Sequence, residues 1–471
     1  MKNLYFKSLA LIWTFIAFSQ TPCENGFAGV YPCSGYDLVS QIALETFSAN
    51  SGNDSWGWTD PQTGKEYALM GLDNGTAFID ISNPTAPVYL GKLPTHTEAS
   101  SWRDIKVYGN YAFIVSEASD HGMQVFDLTR LRNVNNSPVT FDDDAHYDGF
   151  GNAHNIVIND DKAYAYAVGT STYDGGPHIV DIADPLNPSL AGGYSASKYT
   201  HDAQVVTYAG PDNEHTDKEI FIGCNEEEVV IVDVTNPSSP VLISTITYSN
   251  TGYPHQGWLT DNQRYFFLGD ELDELDFGLN TRTLIFDLQD LDNPAQHQEY
   301  FGPTAAIDHN GYFNNNQFYL SNYTAGIKII DATNIASQAI SEIGFFDTYP
   351  ENNNIDFKGS WSNYPFFESG TIVVSDIQRG LFLIKKSGSL GTSVFTQEDF
   401  SIFPNPASSY VNIKSTSQNI KSVELYSVLG QKVYSEEFKN KNEIQIKINS
   451  YKKGLYILRI NNTFTRKLII N

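Results

Sequence analysis

The signatures of several common enzyme classes are absent from this sequence, and basic residues are scarce. No Gly-x-Ser-x-Gly, His-Glu-x-x-His, Gly-x-x-x-x-Gly-Lys or Cys-x-x-Cys motif occurs. The usual hydrolase, zinc-protease, nucleotide-binding and thiol-redox signatures are therefore missing. The 29 Lys and Arg residues are outnumbered by 55 Asp and Glu, which gives a net charge of −26. Such a charge disfavours nucleic acid and anionic lipid as partners, and it also serves plain solubility outside the cell.

Long apolar runs are also missing, apart from residues 9–18, which follow Lys2 and Lys7. This run is too short and too close to the N-terminus for a membrane span, so it predicts a signal peptide over residues 1–20. The mature protein is then expected to be exported and soluble. It would lie in the extracellular space or on the outer-membrane surface.

Cysteine is rare as well, with three residues in the chain. Cys23 and Cys33 lie ten residues apart in a Pro- and Gly-rich leader, a spacing that favours one small disulfide loop over two free thiols in an exported chain. Cys224 ends a predicted strand and is interpreted as a buried thiol.

One pattern is abundant: a short run of β-forming residues that ends at an aspartate. Copies occupy residues 77–80, 124–127, 178–181, 230–233, 284–287 and 328–331, and a decayed copy occupies 382–385. The copies recur every 44 to 54 residues, and a period near fifty made of several short strands is typical of a β-propeller. The sequence therefore predicts an all-β protein with a seven-bladed β-propeller over residues 21–386.

The last blade lacks a fourth strand after residue 385, whereas residues 37–44 form a strand with no blade of its own. We therefore predict that the N-terminal strand completes blade seven and removes an open sheet edge. Residues 387–399 are rich in Gly, Ser and Thr and predict a linker. Residues 400–471 alternate apolar and polar side chains like a small β-sandwich domain.

The C-terminal module carries the segments Phe403-Pro404-Asn405-Pro406-Ala407, 429–433, 453–456 and 466–470. These segments closely resemble the type A C-terminal sorting domain of the type IX secretion system. The resemblance implies a Bacteroidetes-type bacterium, passage through the outer membrane and the type IX machinery as a partner of residues 400–471. It also implies removal of the domain on release or surface attachment.

The propeller resembles the choice-of-anchor B proteins, whose repeats are called LVIVD repeats. The resemblance rests on the leader around Cys23 and Cys33, on residues 101–104 and 151–155, and on the Ile-Val-Asp strands. It covers residues 23–386 and implies architecture and address, but no biochemical activity.

Histidines occupy the predicted starts of four successive innermost strands, so they should line one mouth of the central channel. They are His154, His201, His255 and His309, separated by 47, 54 and 54 residues. The predicted ligand-binding residues at this channel mouth are Trp58, Asp73, Arg103, Asp104, Glu117, Asn155, Gln256, Asn310, Trp361 and Asp376. Tryptophans on the inner strands could stack on sugars or pack the channel.

Imidazole with carboxylate suits zinc, copper or iron. The predicted metal ligands are His154, His201, His255, His309, Asp270 and Glu271. The alternative is a wet channel in which the same groups hold water and tie strands together. The acidic loops 141–149 and 269–276 suit calcium, although neither matches an EF-hand.

Three functions remain open from the sequence. The first is an exported binding module with an unknown extracellular ligand at the channel mouth. The second is a metal-dependent enzyme at the four histidines, and the third is a structural surface protein. No catalytic residue can be assigned.

Overall fold

The computed structural model describes residues 20–388, 400–415, 419–427, 432–461 and 464–471. The chain divides into two compact units, residues 1–391 and 392–471. The predicted signal peptide and most of the predicted linker lie outside the described residues. The all-β prediction is confirmed, since the helices among the described residues are short. The α-helices are Leu44–Phe47 and Asp273–Phe277, and the 3-10 helices are Leu128–Asn133, Tyr173–Gly175, Asn213–His215 and Ile335–Ser337.

Among the described residues, the first unit contains seven antiparallel sheets, numbered here as blades 1 to 7, with strands given from the channel outwards. Blades 1 and 2 are Gly52–Thr59, Glu66–Leu72, Gly75–Asp80, Val88–Pro94, and Arg103–Tyr108, Tyr111–Ser116, Met123–Asp127, Ala145–Tyr147. Blades 3 and 4 are Asn155–Ile158, Tyr164–Val168, His178–Asp181, Ser189–Gly193, and Asp202–Thr207, Glu219–Asn225, Glu228–Asp233, Val241–Ile246. Blades 5 and 6 are Pro254–Leu259, Tyr265–Asp270, Arg282–Asp287, Ala295–Phe301, and Gly311–Asn314, Gln317–Ser321, Ile327–Asn334, Ala339–Phe346. Blade 7 is Ser360–Tyr364, Ile372–Asp376, Gly380–Lys386 and Tyr36–Ile42.

The first strand of each blade, called its inner strand, packs against the inner strands of its two neighbours, and blade 7 packs against blade 1. The fourth strand of blade 7 comes from the N-terminus. It runs antiparallel to Gly380–Lys386, with Tyr36 opposite Lys386 and Ile42 opposite Leu381. This is the pairing that the sequence predicts, although Leu44 begins a short helix instead of ending the strand.

The leader before that strand is tied to the edge of blade 6. Phe27–Ala28 and Tyr31–Ser34 form a small hairpin, and Cys33 pairs with Phe346 of the outer strand. Cys23 and Cys33 are joined by a disulfide, and Cys224 is a buried free thiol. Another short strand, Val139–Thr140, adds to blade 1 in parallel with Val88–Pro94.

The repeated aspartate ends the third strand of blades 1 to 5, and in blade 6 Asp331 lies three residues before the end of the longer strand Ile327–Asn334. In each blade its Oδ1 accepts a hydrogen bond of 2.9 to 3.0 Å from the backbone N–H two residues later. A side chain that mimics a backbone turn in this way favours a tight exit from the strand. Each repeat is therefore a β-strand whose aspartate side chain stabilises the backbone that follows it. The equivalent residue in blade 7 is Lys385, whose side chain cannot accept such a hydrogen bond.

Apolar side chains fill the space between neighbouring blades. Phe78 of blade 1 stacks on Phe126 of blade 2 with ring centroids 4.4 Å apart, and Phe141 covers both rings. Each fully buried side chain of this size contributes about 1.5–3 kcal/mol. The second and third strands of a blade are buried along most of their length, which explains their largely apolar sequences.

The second unit has two sheets with its own apolar core. Phe400–Phe403, Tyr410–Ser415 and Glu443–Lys447 form one sheet. Lys432–Lys441, Ile420–Ser427, Gly454–Ile460 and Phe464–Ile470 form the other, in this order. Alternate residues such as Val411, Ile413, Leu425 and Leu458 are buried between the sheets.

Candidate functional site

The inner strands all run the same way along the channel, so it has two chemically different ends. Their first residues bring the four histidines together, and we call this the histidine end. Their last residues surround a cavity of about 900 Å³ with several aromatic walls, and we call this the aromatic end. Sequence reasoning placed all candidate residues at one end.

At the histidine end, the four predicted imidazoles form a continuous arc across blades 3 to 6. Ring centroids are 4.1 Å apart between His154 and His201, and 4.2 Å apart between His201 and His255. The same 4.2 Å separates His255 from His309. The arc follows from strand register, because each histidine lies within two residues of the first residue of its inner strand.

Three of these rings have Nδ1 hydrogen-bonded to an oxygen. His154 Nδ1 lies 2.6 Å from Glu117 Oε1, and His201 Nδ1 lies 3.2 Å from the carbonyl of His255. His309 Nδ1 lies 2.6 Å from the carbonyl of Trp361. His255 differs, since its Nδ1 is buried without a hydrogen-bond partner. A carbonyl can only accept, so Nδ1 of His201 and His309 carries the hydrogen and Nε2 keeps its lone pair.

Burial keeps the inner part of the arc neutral. It lowers the pKa of His201 and His255 well below the ordinary value, with a further contribution from the neighbouring histidines. Burial also lowers the pKa of His309 to about 3. Desolvation disfavours the imidazolium form, so these rings are neutral bases at physiological pH.

Glu271 is the carboxylate of this arc. Its Oε2 lies 3.8 Å from His255 Nε2, and its Oε1 lies 3.7 Å from His309 Nε2. Tyr323 donates a hydrogen bond of 2.9 Å to Oε1. Burial raises the pKa of Glu271 to about 7, although the bond from Tyr323 opposes that shift.

Apart from Glu117, which bonds His154, the other predicted acidic and basic residues do not join the arc. Asp73 accepts two hydrogen bonds from Asn50, and Asp376 accepts the backbone N–H groups of Gln378 and Arg379. Arg103 donates to the carbonyl of Leu72 and lies 2.9 Å from His121 Nε2. These contacts hold turns and neighbouring strands in place.

Asp270, predicted as a metal ligand, is already used by its surroundings. It accepts hydrogen bonds from Tyr248 Oη at 2.7 Å and from three backbone N–H groups, those of Gly252, Tyr253 and Leu272. The side chain therefore organises its own turn and does not face the imidazoles. Asp270 ends its strand and Glu271 follows it, so the two side chains point in different directions. The sequence alone could not show which of the two faces the imidazoles.

The three predicted amides connect inner strands instead of facing a ligand. Asn155 donates to the carbonyl of His201, and Gln256 accepts the backbone N–H of Gly311. Asn310 Nδ2 lies 3.4 Å from Asp54 Oδ1. The alternative of a hydrogen-bonding role fits these residues.

Between the two ends lies a buried charge cluster, of which the sequence analysis identified Asp104 alone. Lys106 Nζ lies 2.6 Å from Asp104 and 3.4 Å from Asp54. Burial raises the pKa of Asp54 well above its usual range and that of Asp202 to about 7. Lys106 overcomes burial at Asp104 and lowers its pKa. The middle of the channel is therefore polar and lies between the histidine end and the aromatic end.

The aromatic end contains Trp58, so its predicted place among the histidines is corrected. The inner strand of blade 1 runs from Gly52 to Thr59, which places Trp58 at the far end of the strand from the histidines. There its Nε1 donates to the carbonyl of Gly109. Other ring walls of the cavity are Trp56, Trp258, Tyr364 and Phe366, and polar walls are Lys106, Asn159, Gln204 and Gln263.

The two loops predicted for calcium are engaged in protein contacts. In the first, Asp144 Oδ2 accepts from Arg130 Nη1 at 2.8 Å. In the second, Asp273 Oδ2 accepts from Arg282 Nε at 2.6 Å. Both carboxylate oxygens of the buried Glu274 have no hydrogen-bond partner, and burial raises its pKa to about 9.

A second histidine–carboxylate group, formed by Asp212, His215 and Asp292, lies away from the channel. His215 Nε2 lies 3.0 Å from Asp292 Oδ2, and its Nδ1 lies 3.2 Å from Lys218 Nζ. The ammonium of Lys218 donates to Nδ1, so Nε2 carries the hydrogen and donates to Asp292. The group therefore reads as a hydrogen-bonded link between blades 4 and 5.

The fold and its channel define a β-propeller protein with a separate C-terminal β-domain. The chain contains LVIVD repeats, matched at residues 65–95, 100–127, 150–196 and 220–247, and a secretion system C-terminal sorting domain, matched at residues 401–471. It is thus an exported propeller of the type IX secretion route, directed to the cell surface or extracellular space. These repeats agree with the resemblance to choice-of-anchor B proteins.

One curated protein, an endo-acting ulvan lyase of Formosa agariphila, is 33% identical over 90 residues. That match covers 18% of this chain and 17% of the lyase, so the chain spans a small part of its relative. No helix among the described residues has both the length and the apolar character needed to cross a membrane.

Several solved structures are similar at low identity. PorZ, a surface component of the type IX secretion system of Porphyromonas gingivalis, matches with 11% identity and a TM-score of 0.45, over 90% of this chain and 59% of PorZ. A putative 6-phosphogluconolactonase from Bacteroides uniformis matches with 12% identity and a TM-score of 0.47, over 64% of this chain and 85% of that protein. The Cps50 (Swd1) β-propeller domain from Myceliophteria thermophila matches with 10% identity and a TM-score of 0.44, over 68% and 93%.

Proposed function

We propose that this protein is an exported binding module that takes a saccharide into the aromatic end of its channel. The observation that carries the proposal is the cavity of about 900 Å³, which is lined by aromatic rings together with amide and charged groups. Its size lies within the range of ligand pockets. Loops and strand ends from several blades meet there, so a ligand contacts many rigid elements at once.

The chemistry of the walls favours a saccharide. The C–H faces of a sugar ring stack on aromatic faces, and its hydroxyls exchange hydrogen bonds with amides and carboxylates. Trp56, Tyr364 and Phe366 form a continuous ring surface, with centroid separations of 5.1 to 6.2 Å. Gln204 and Asn159 supply polar groups to the same cavity.

Binding can be tested with a panel of neutral and uronic oligosaccharides, followed by thermal shift and calorimetry on the full chain. Trp258→Ala and Phe366→Ala each remove ring surface and should weaken binding of a hit at least tenfold, or by about 1.4 kcal/mol. Trp102→Ala is the matched control. Trp102 is 45% exposed and does not line the cavity, so this variant should bind like the parent.

Two results would contradict the proposal. One is that no oligosaccharide in the panel binds the folded parent protein. The other is that a hit binds the two cavity variants as tightly as the parent, or loses binding in Trp102→Ala alone.

The alternative of a metal-dependent enzyme at the histidine end has weaker support. His201, His255 and His309 are 2–6% exposed, which leaves little access for an organic substrate. Such burial suits a small ion held by the protein. A metal without a substrate pocket indicates a role other than catalysis.

A further inference from the structure

We propose that His201, His255, His309 and Glu271 bind one divalent transition-metal ion at the histidine end of the channel. A ring nitrogen of His201, a ring nitrogen of His255 and a carboxylate oxygen of Glu271 all lie within 4.8 Å of one another. His309 Nε2 adds a fourth donor 3.7 Å from Glu271. The proposal does not depend on a saccharide at the other end.

The separations between donors suit a tetrahedral ion better than a hydrogen bond. The distances of 3.7 and 3.8 Å from the imidazoles to Glu271 exceed the limit for an N–H···O bond. Zinc ligands lie about 2.0–2.2 Å from the metal, so neighbouring donors in a tetrahedron lie about 3.4 Å apart. The two distances from the imidazoles to Glu271 exceed that spacing by a few tenths of an ångström, and the donor of His201 lies within 4.8 Å of those of His255 and Glu271.

The surrounding hydrogen bonds orient the rings as ligands. His201 and His309 are held through Nδ1 by backbone carbonyls, and each keeps the lone pair of Nε2. Metal-binding histidines almost always have this outer bond, because it fixes the tautomer and the ring plane. Tyr323 plays the same part for Glu271 by donating to Oε1.

No outer hydrogen bond holds the ring of His255, unlike the rings of His201 and His309. This ring is 2% exposed, and its Nδ1 has no hydrogen-bond partner. A buried polar atom without a partner costs about 1–3 kcal/mol. The nitrogen of His255 that faces Glu271 is Nε2, so an ion beside Glu271 would bind Nε2 and leave Nδ1 without a partner.

The donor set identifies the class of metal. Three neutral imidazoles and one carboxylate suit zinc, copper or iron, whereas calcium requires oxygen ligands. The closed, fully protein-built set favours zinc in a structural role. His154 is not among the donors that lie around Glu271, and Asp270 is excluded because its oxygens hold backbone N–H groups.

The test uses the full chain, stripped with a chelator and reloaded with Zn²⁺ or Co²⁺. We expect one equivalent of either metal, and intense visible absorption from Co²⁺ in tetrahedral coordination. Thermal stability should rise with added Zn²⁺, because the ion binds the folded state. Glu271→Gln retains the side-chain shape and the contact with Tyr323, and it should weaken Zn²⁺ affinity about a hundredfold or more.

The control is His215→Asn, which alters the second histidine–carboxylate group and should leave metal affinity and the Co²⁺ spectrum unchanged. His255→Ala provides a further ligand removal, and circular dichroism shows whether it is folded. The proposal is wrong if the stripped parent takes up neither metal. It is also wrong if folded Glu271→Gln binds like the parent, or if His215→Asn alone loses the metal.

Discussion

Lys106 Nζ lies 2.6 Å from Asp104 Oδ1 in the middle of the channel, and both side chains are buried. Asp54 lies on the other side of the same ammonium, 3.4 Å away. Two carboxylates and one ammonium thus share a desolvated space between the two channel ends. Removing one partner from such a group leaves an uncompensated buried charge.

The substitution Lys106→Met should therefore lower the free energy of unfolding by about 3–5 kcal/mol, as measured by urea denaturation. Lys65→Met is the control. Its pair with Asp80 is half exposed, and such surface pairs contribute about 0–1 kcal/mol. Equal effects of the two substitutions would contradict the assignment of Lys106 as the counter-charge of the channel.

Closure of the ring by the N-terminal strand gives a second prediction. Deletion of residues 21–46 exposes the strand Gly380–Lys386, whose central side chains are buried, and should cause aggregation or loss of cooperative unfolding. On the same strand, Val39→Asp places a charge in the apolar core and should be destabilising, whereas Gln41→Asp changes an exposed side chain. Sharp unfolding of the deletion variant at the parent temperature would refute this role.

Regular repetition explains why so much of the fold could be predicted. The strand ending at aspartate recurs because each blade needs the same buried strand and the same turn, so one pattern gives the period. The N-terminal strand could be placed because an incomplete last blade and an unpaired first strand complement each other. The histidine arc followed from the same logic, since equal register brings equal positions together.

The failures come from blade 1 and from side-chain direction. No histidine marks the start of the inner strand of blade 1, so its register could not be predicted and Trp58 was assigned to the wrong end of the channel. The register of Asp54 beside Lys106 depends on an irregularity between Gly52 and Ser55 that no local pattern reveals. The sequence pattern did not indicate that Tyr364 and Phe366 line the cavity. Their positions depend on where the inner strand of blade 7 ends and on the loop that follows it.

A third prediction concerns pH. Burial, with the charge of Asp273, raises the pKa of Glu274 from 4.5 to about 9. The folded protein then keeps a proton that the unfolded chain releases, so stability falls as pH rises between these values. Buried neutral histidines have the opposite effect on stability, but they destabilise the folded protein only as pH falls below about 6.5, their pKa in the unfolded chain. Above that pH the buried carboxyl groups with a raised pKa decide the sign, and Glu274 acts in the same direction as Asp202 and Glu271.

Urea unfolding of chelator-treated protein at pH 6.5, 7.5 and 8.5 should show this loss, with a limit of about 1.4 kcal/mol per pH unit for one proton. Glu274→Gln cannot ionise and should flatten the slope. Glu226→Gln, at an exposed position, should retain it. A parent protein whose stability is constant or rises over this range would show that Glu274 is ionised when folded.

The sorting domain gives the last prediction. The buried residues of its core all lie between 400 and 470, so the propeller should fold without it. Deletion of residues 401–471 removes the matched sorting domain. We expect cell fractionation to find the truncated chain on the periplasmic side of the outer membrane. Calorimetry of the purified truncated chain should show the thermal unfolding of the parent propeller.

A deletion of residues 389–398 serves as the control. This variant is shorter but retains the sorting domain, so it should be exported. Truncated protein on the cell surface or in the medium at the parent level would mean that residues 401–471 do not direct export.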